Sequence, residues 1–207
     1  MVAESRANIP ATPQQHEIIK DHLQKLHPNF YNFVVTIFHT GIRPEEIRKI
    51  QLFMIWIDMQ NSQIILPPDI TKTNRDRIVP INKHLFEIYK SMQFENLPKQ
   101  FYLFGSYKQP GKSNVGAKLN FIPGPSQIKR STTTRKWESI VKIGLGFKSV
   151  NMYSNKHAGA NAKILAGMDL EALRELYGHT SKLMTTKYAT VVKEVYRKQI
   201  MENSPDF

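Results

Sequence analysis

Leu176-Tyr177-Gly178-His179, followed by Thr185-Thr186-Lys187-Tyr188, is the stretch whose reading decides the fold. It puts an imidazole at the start of a turn and a phenol about two helical turns further on. In a basic protein, a phenol so placed can attack a phosphodiester and hold the broken strand as a phosphotyrosine. Gly-His and a later Tyr are common on their own. Three further stretches give the pair its weight: Thr40-Gly41-Ile42-Arg43-Pro44-Glu45-Glu46, Thr71-Lys72-Thr73-Asn74-Arg75-Asp76-Arg77-Ile78-Val79-Pro80, and Tyr153-Ser154-Asn155-Lys156-His157.

The chain has 207 residues, enough for one substantial core. Its 29 Lys and Arg against 17 Asp and Glu leave a formal charge of +12, which favours a polyanionic partner, and nucleic acid is the usual one. No basic amphipathic helix or lipidation motif supports a membrane surface instead. Cysteine is absent, which excludes disulfides, thiolate metal sites and cysteine nucleophiles. The longest apolar runs, Phe33–Phe38 and Leu52–Ile57, are too short to span a bilayer, and no secretory signal opens the chain. The expected location is cytoplasmic and nucleoid-associated.

Residues 1–12 are small and polar and read as a disordered lead-in or a boundary. Thr12 is a good cap for a first helix carrying Ile18, Ile19, Leu23 and Leu26, and Pro28 restarts the chain into a second with Phe30, Phe33, Val34, Ile37 and Phe38. Gly41 stops that helix, and Pro44-Glu45-Glu46 opens a short third one. Leu52–Ile57, Ser62–Leu66 and Arg77–Val79 read as the strands of a small antiparallel sheet. Helical texture returns at 82–92. The Gly- and Pro-rich stretch from Leu97 to Ser126 holds one short strand or turn at Tyr102-Leu103-Phe104. Helices follow at 131–143, 154–167, 169–177 and 181–202. The predicted fold is mainly α with a three-stranded antiparallel sheet on one side, an α+β domain.

Breaking a phosphodiester without a metal sets three requirements. Fixed cations must match the charge on the non-bridging oxygens, the nucleophile must lose a proton, and the leaving 5′ oxygen must gain one. Arg43 sits on a tight connection between two helices, where its planar guanidinium can take two phosphate oxygens. The bland alternative is a surface ion pair with Glu46. Lys72 lies in a turn before the third strand, where a lysine is ordinarily solvated. His179 has the bland reading of a satisfied histidine at a helix cap, and Tyr188 that of a core aromatic. His16, His22, His27 and His39 lack metal-like clustering.

The order and separation of these motifs resemble the catalytic domain of the tyrosine recombinases, also called phage-type integrases, from about Thr12 to about Val195. The resemblance implies a role for each residue. Arg43 is the first catalytic arginine, held by Glu46. Lys72 is the hairpin lysine that protonates the leaving 5′ oxygen. His179 hydrogen-bonds the scissile phosphate and assists proton transfer, and Tyr188 is the nucleophile. Tyr196 is the fallback nucleophile, without the Thr185-Thr186 lead-in. Most of the family has His-x-x-Arg where this chain has Tyr153 and Lys156. Lysine keeps the charge and loses the bidentate fork. Tyr153, with a free pKa of about 10, is a poor base at neutral pH. His157 falls where the family has a structural histidine.

Arg75 and Arg77 in the hairpin, with Lys129, Arg130, Arg135 and Lys136, are the expected contacts to double-stranded DNA. The helix at 131–143 would present Thr132, Arg135, Lys136 and Ser139 to a groove. No cofactor and no metal are expected. The domain is expected over 13–207 with a tail helix at about 190–203, and without the N-terminal core-binding domain that family members usually carry. The resemblance implies a tetramer on synapsed DNA, with the tail docked on a neighbour through Val191, Val192, Val195 and Ile200. Without DNA a monomer or weak oligomer is expected. The function implied is site-specific recombination through a 3′-phosphotyrosine, for a mobile element. Two competing readings are a DNA-binding accessory protein of the same fold that has lost catalysis, which Tyr153 and Lys156 favour, and a type IB topoisomerase-like strand nicker.

Overall fold

A computed structural model describes residues 11–107, 120–178 and 189–203. Of the expected lead-in, only Ala11 and Thr12 fall within it.

Thr12 and Gln15 cap the first helix reciprocally: the Thr12 hydroxyl accepts the Gln15 N–H at 3.2 Å, and the Gln15 amide oxygen accepts the Thr12 N–H at 3.0 Å. With Pro13 in the first turn, helix α1 runs Pro13–Leu26 and buries Ile19 and Leu23. Helix α2, Pro28–Thr40, is apolar on most of its surface, because it is the central element of the core. Phe33 meets Phe104 and Phe121 edge-on at 5.3 and 5.5 Å, and the Tyr89 hydroxyl bonds that of Thr36 at 3.0 Å. Truncating one such buried ring to Ala would cost about 3–5 kcal/mol. Gly41 ends α2 at φ +64°, its N–H donating to the Ile37 carbonyl at 3.0 Å. One turn of helix, α3 (Pro44–Ile47), follows.

Strands β1 (Ile55–Trp56), β2 (Gln63–Leu66) and β3 (Arg77–Pro80) form the predicted antiparallel sheet in that order. Ile64 and Val79 pair directly and face the core. The first half of the Leu52–Ile57 run is not strand: Leu52–Met54 makes a 3₁₀ turn. Its N–H groups are drawn elsewhere, Leu52 donating to the Phe101 carbonyl and Phe53 to that of Lys99, each at 2.9 Å. Helix α4 (Lys83–Ser91) starts on an Asn82 cap, whose side-chain oxygen accepts the Leu85 N–H at 2.9 Å.

A second three-stranded sheet corrects the expectation of one short strand or turn at 102–104. It is built from β4 (Tyr102–Ser106), flanked by β5 (Asn120–Gly124) and β6 (Ser126–Gln127). Gly105 lets the strands close up, since a Cβ there would lie 2.6 Å from the Gly124 carbonyl oxygen. Phe121 takes φ +63° and spends the strain on the core, its ring packing 4.8 Å from that of Phe30.

Helix α5 (Arg130–Trp137) widens into a π-helical stretch, Glu138–Gly144, so the predicted 131–143 helix is present with a change of pitch. Helix α6 (Ser154–Leu165) lies against α2 at unusually short range: a Cβ on Gly159 would sit 2.0 Å from the Phe38 carbonyl oxygen. Asp169 caps α7 (Leu170–Tyr177), and Gly178 ends it at φ +60°. Helix α8 spans Ala189–Asn203. Its Val192 is buried with Ala160, Ile164, Leu173 and Tyr177, with Val191 and Val195 alongside. These valines thus pack on α6 and α7 of their own chain; the Ile200 side chain lies outside the described residues. No described helix is long and apolar enough to cross a membrane.

Candidate active site

The site grows from a single carboxylate. Glu46, on α3, is 2% exposed. Its Oε1 accepts from Arg43 Nη1 at 2.9 Å and from the Lys72 main-chain N–H at 3.0 Å, and its Oε2 accepts the Arg43 N–H at 3.0 Å. Arg77 Nη2 approaches the same Oε2 to 3.5 Å. Burial would raise this carboxyl's pKa. The N–H groups of Lys72 and Arg43, with the two guanidinium charges, outweigh it and hold the group below the usual glutamate value. Glu46 therefore joins two distant stretches of sequence: the helix connection bearing Arg43 and the turn bearing Lys72.

Arg43 keeps the ion pair that local sequence allows, but not as a solvated surface contact, since the side chain is only 15% exposed. Lys72 is held by its backbone, and its side chain is exposed. The turn around it is tied by Thr71, whose hydroxyl accepts the Arg75 N–H at 3.1 Å and donates to the Arg75 carbonyl at 2.8 Å, with Asn74 at φ +51°.

Lys156 enters from the first turn of α6 and is 1% exposed. Its Nζ makes no hydrogen bond among the described residues and lies 4.8 Å over the Tyr177 ring. Burial, then the Arg43 and Arg77 charges, push its ammonium down to about 7, with Glu46 opposing. Tyr153 precedes α6, half-buried, its ring edge-on to His157 at 5.5 Å. Arg43, Lys72, Glu46 and Lys156 thus converge. His179 and Tyr188 lie outside the described residues, and α7 ends at Gly178, immediately before His179.

Of the expected DNA contacts, Arg75, Lys129 and Arg135 are exposed and Lys136 is partly so. Arg130 is 80% exposed and pairs with Glu45 at 3.0 Å. Arg77 is placed differently: its side chain is 10% exposed and turned inward, Nη1 donating to the Tyr177 carbonyl at 2.9 Å.

Two residues at the site were not legible in advance. Tyr177 lies in the core and under Lys156: its ring leaves no room for a Cβ on Gly41, which would fall 2.4 Å from Cε1, and its hydroxyl donates to the Lys156 carbonyl at 3.0 Å. Lys163 caps the end of α2, its Nζ donating to the Phe38 carbonyl at 2.9 Å and to that of Gly159 at 3.3 Å. Burial pushes its ammonium down to about 8. Its seven-residue spacing from Lys156, two turns along one helix face, was the available signal. No group of three or more His, Asp or Glu fit to hold a metal occurs among the described residues.

The model of the phage integrase family matches residues 12–194. No curated protein matches the chain. Among solved structures, XerA recombinase is similar over 96% of this chain and 65% of its own, at 16% identity and a TM-score of 0.67. The Tn1549 transposon integrase in complex with circular intermediate DNA is similar over 91% of this chain and 62% of its own, at 18% identity and a TM-score of 0.62. The catalytic domain of bacteriophage HP1 integrase is similar over 95% of both chains, at 16% identity and a TM-score of 0.57. The chain therefore spans somewhat less than two thirds of the XerA and Tn1549 chains and nearly all of the HP1 catalytic domain.

Proposed function

The chain belongs to the phage integrase family, and on that premise we propose that it cleaves and rejoins double-stranded DNA, with Tyr188 as nucleophile. The observation that supports this best is the convergence on Glu46. One buried carboxylate fixes Arg43 and the Lys72 backbone, while Lys156 stands close by without a hydrogen-bond partner among the described residues. A cation desolvated with no counter-ion of its own is primed for an incoming anion, and the scissile phosphate fits it.

In the proposed step, the Tyr188 phenol passes its proton to His179 and its oxygen bonds to the scissile phosphorus. Arg43 and Lys156 take the non-bridging oxygens as charge builds. The bond from phosphorus to the 5′ oxygen breaks, and that oxygen takes a proton from the Lys72 ammonium. The product is a 3′-phosphotyrosine and a free 5′-hydroxyl, and the reverse attack by a 5′-hydroxyl rejoins the strand. The phosphotyrosine conserves the bond energy, so neither ATP nor a cofactor is drawn upon. The exposed cations Arg75, Lys129, Arg130, Arg135 and Lys136 bind the DNA backbone in this reading. It extends to recombination by a tetramer on two DNA sites, for a mobile element, in the nucleoid.

A nicked suicide substrate tests the reading. The protein should trap labelled DNA in a denaturing gel, and Tyr188→Phe should trap none at nearly unchanged affinity. Tight binding without an adduct from the parent protein would favour the accessory-protein reading instead. An adduct that persists in Tyr188→Phe would move the nucleophile to Tyr196.

A further inference from the structure

Arg77 has the sequence position of a DNA contact and the surroundings of an internal strut. It projects from the first residue of β3 to the end of α7, about a hundred residues later in the chain. Nη1 donates to the Tyr177 carbonyl at 2.9 Å, and Nη2 lies 3.5 Å from Glu46 Oε2. Nε and Nη2 are buried and make no hydrogen bond among the described residues. A guanidinium that reads DNA keeps its fork open to solvent until the phosphate or base arrives. This one is directed at the protein.

Gly178 is shaped to match. It takes φ +60° to end α7, and a Cβ there would fall 2.9 Å from both Cδ and Nη1 of Arg77. The glycine thus serves the turn and also leaves room for the guanidinium. Gly167 gives the contrast: it too has positive φ, at +90°, but among the described residues nothing lies within 4 Å of where its Cβ would be.

We propose that Arg77 is a positioning residue. It clamps the end of α7 to the hairpin strand and to Glu46, so that Gly178, immediately before His179 in the sequence, is held in fixed relation to the Arg43–Glu46 pair. Only the catalytic consequence rests on the recombinase reading; the clamp itself does not.

The test uses the full chain, with Arg77→Met to keep bulk and lose both contacts, and Arg77→Lys to regain one. Hydrogen exchange reads the clamp directly at the Gly178 amide, which donates to the Glu175 carbonyl at 3.0 Å. Arg77→Met should speed exchange at 177 and 178 by about tenfold or more, with the amides of α2 unchanged. On the nicked substrate at saturating protein, the same variant should slow adduct formation on the order of a hundredfold through misplacement, with DNA affinity unchanged. Arg77→Lys should recover part of that rate. Parental exchange at 177 and 178 in Arg77→Met would overturn the inference, and so would a loss of DNA affinity that accounts for the whole loss of rate. If the parent forms no adduct, the recombinase reading fails while the exchange result still decides the clamp. Should Arg77→Met not fold, Gly178→Ala and Gly167→Ala replace it. Both carry the backbone strain, and only Gly178→Ala displaces Arg77, so equal exchange at 177 in the two would equally overturn the proposal.

Discussion

The ammonium nitrogen of Lys156 lies 4.8 Å over the ring of Tyr177, and the Tyr177 hydroxyl donates back to the Lys156 carbonyl at 3.0 Å. One aromatic side chain thus holds both ends of the lysine. The contact with the ring returns part of the ammonium's lost hydration, worth on the order of 2 kcal/mol when desolvated. The remaining cost of burial, with the Arg43 and Arg77 charges added, outweighs the pull of Glu46, which is why the group titrates low.

The pH dependence follows from that. In the folded protein the Lys156 ammonium titrates at about 7, against an ordinary value of 10.5. Between those two values the unfolded chain binds more protons than the folded one, so stability rises with pH across this window. Below about 7 the charged form is carried at full cost. Thermal melts should show a steeper rise in Tm over that range for the parent than for Lys156→Met. Lys163, which titrates at about 8, adds a slope of the same sign in both proteins and cancels in the comparison. A bound phosphate should restore the charge, so DNA affinity should fall as pH rises above about 7 in the parent and stay flatter in Lys156→Arg.

Glu46→Gln removes the shared acceptor charge and strands Arg43 and Arg77 in a buried setting. Breaking such a pair should cost about 3–5 kcal/mol, measured by urea unfolding. Because the Glu46 pKa is held low, its contribution is fully present above the usual carboxylate range and is lost as pH falls through the lowered value. The parent should therefore lose stability on acidification more steeply than the variant.

The role proposed for Lys72 is separable by chemistry from the phosphate contact proposed for Arg43. A 5′-sulfur leaving group needs no proton. Adduct formation lost in Lys72→Ala should return on a substrate with sulfur at the scissile 5′ position, and the loss in Arg43→Ala should not. Equal rescue of both variants would remove Lys72 from the role of acid.

Gly159→Ala tests the contact between α2 and α6. The added methyl would fall 2.0 Å from the Phe38 carbonyl oxygen, so the helices must part or the chain must strain. Overpacking of this kind should cost about 1–3 kcal/mol or more, read as a fall in Tm.

The residues that were legible in the sequence are those whose surroundings are local. The sheet of β1 to β3 declared itself through Ile64 and Val79 on one face and turn residues between the runs. The stop at Gly41 and the start at Pro44 fixed where Arg43 would sit. The second sheet was hidden, because β5 carries Pro123 and Gly124 and β4 carries Gly105, residues that strands avoid unless a close backbone approach requires them. Arg77 was misleading for another reason. A cation beside a basic turn fits a DNA contact as well as it fits an internal clamp, and only the carbonyl of Tyr177 and the carboxylate of Glu46 decide which way it points. Lys163 gave no signal beyond its spacing from Lys156, because a helix lysine fits solvent as well as it fits the Phe38 carbonyl.

The missing side chain at Gly159 has a mechanical consequence. With no Cβ to hold α6 away, and with the Lys163 ammonium fastened to the Phe38 carbonyl, the two helices form one stiff beam. Arg43 follows the end of one helix and Lys156 begins the other. The gap between these two cations is therefore set when the chain folds, like the jaws of a fixed-gauge caliper. It is dimensioned by the contact of α2 with α6, and by the Glu46 carboxylate that holds Arg43 beyond the end of α2.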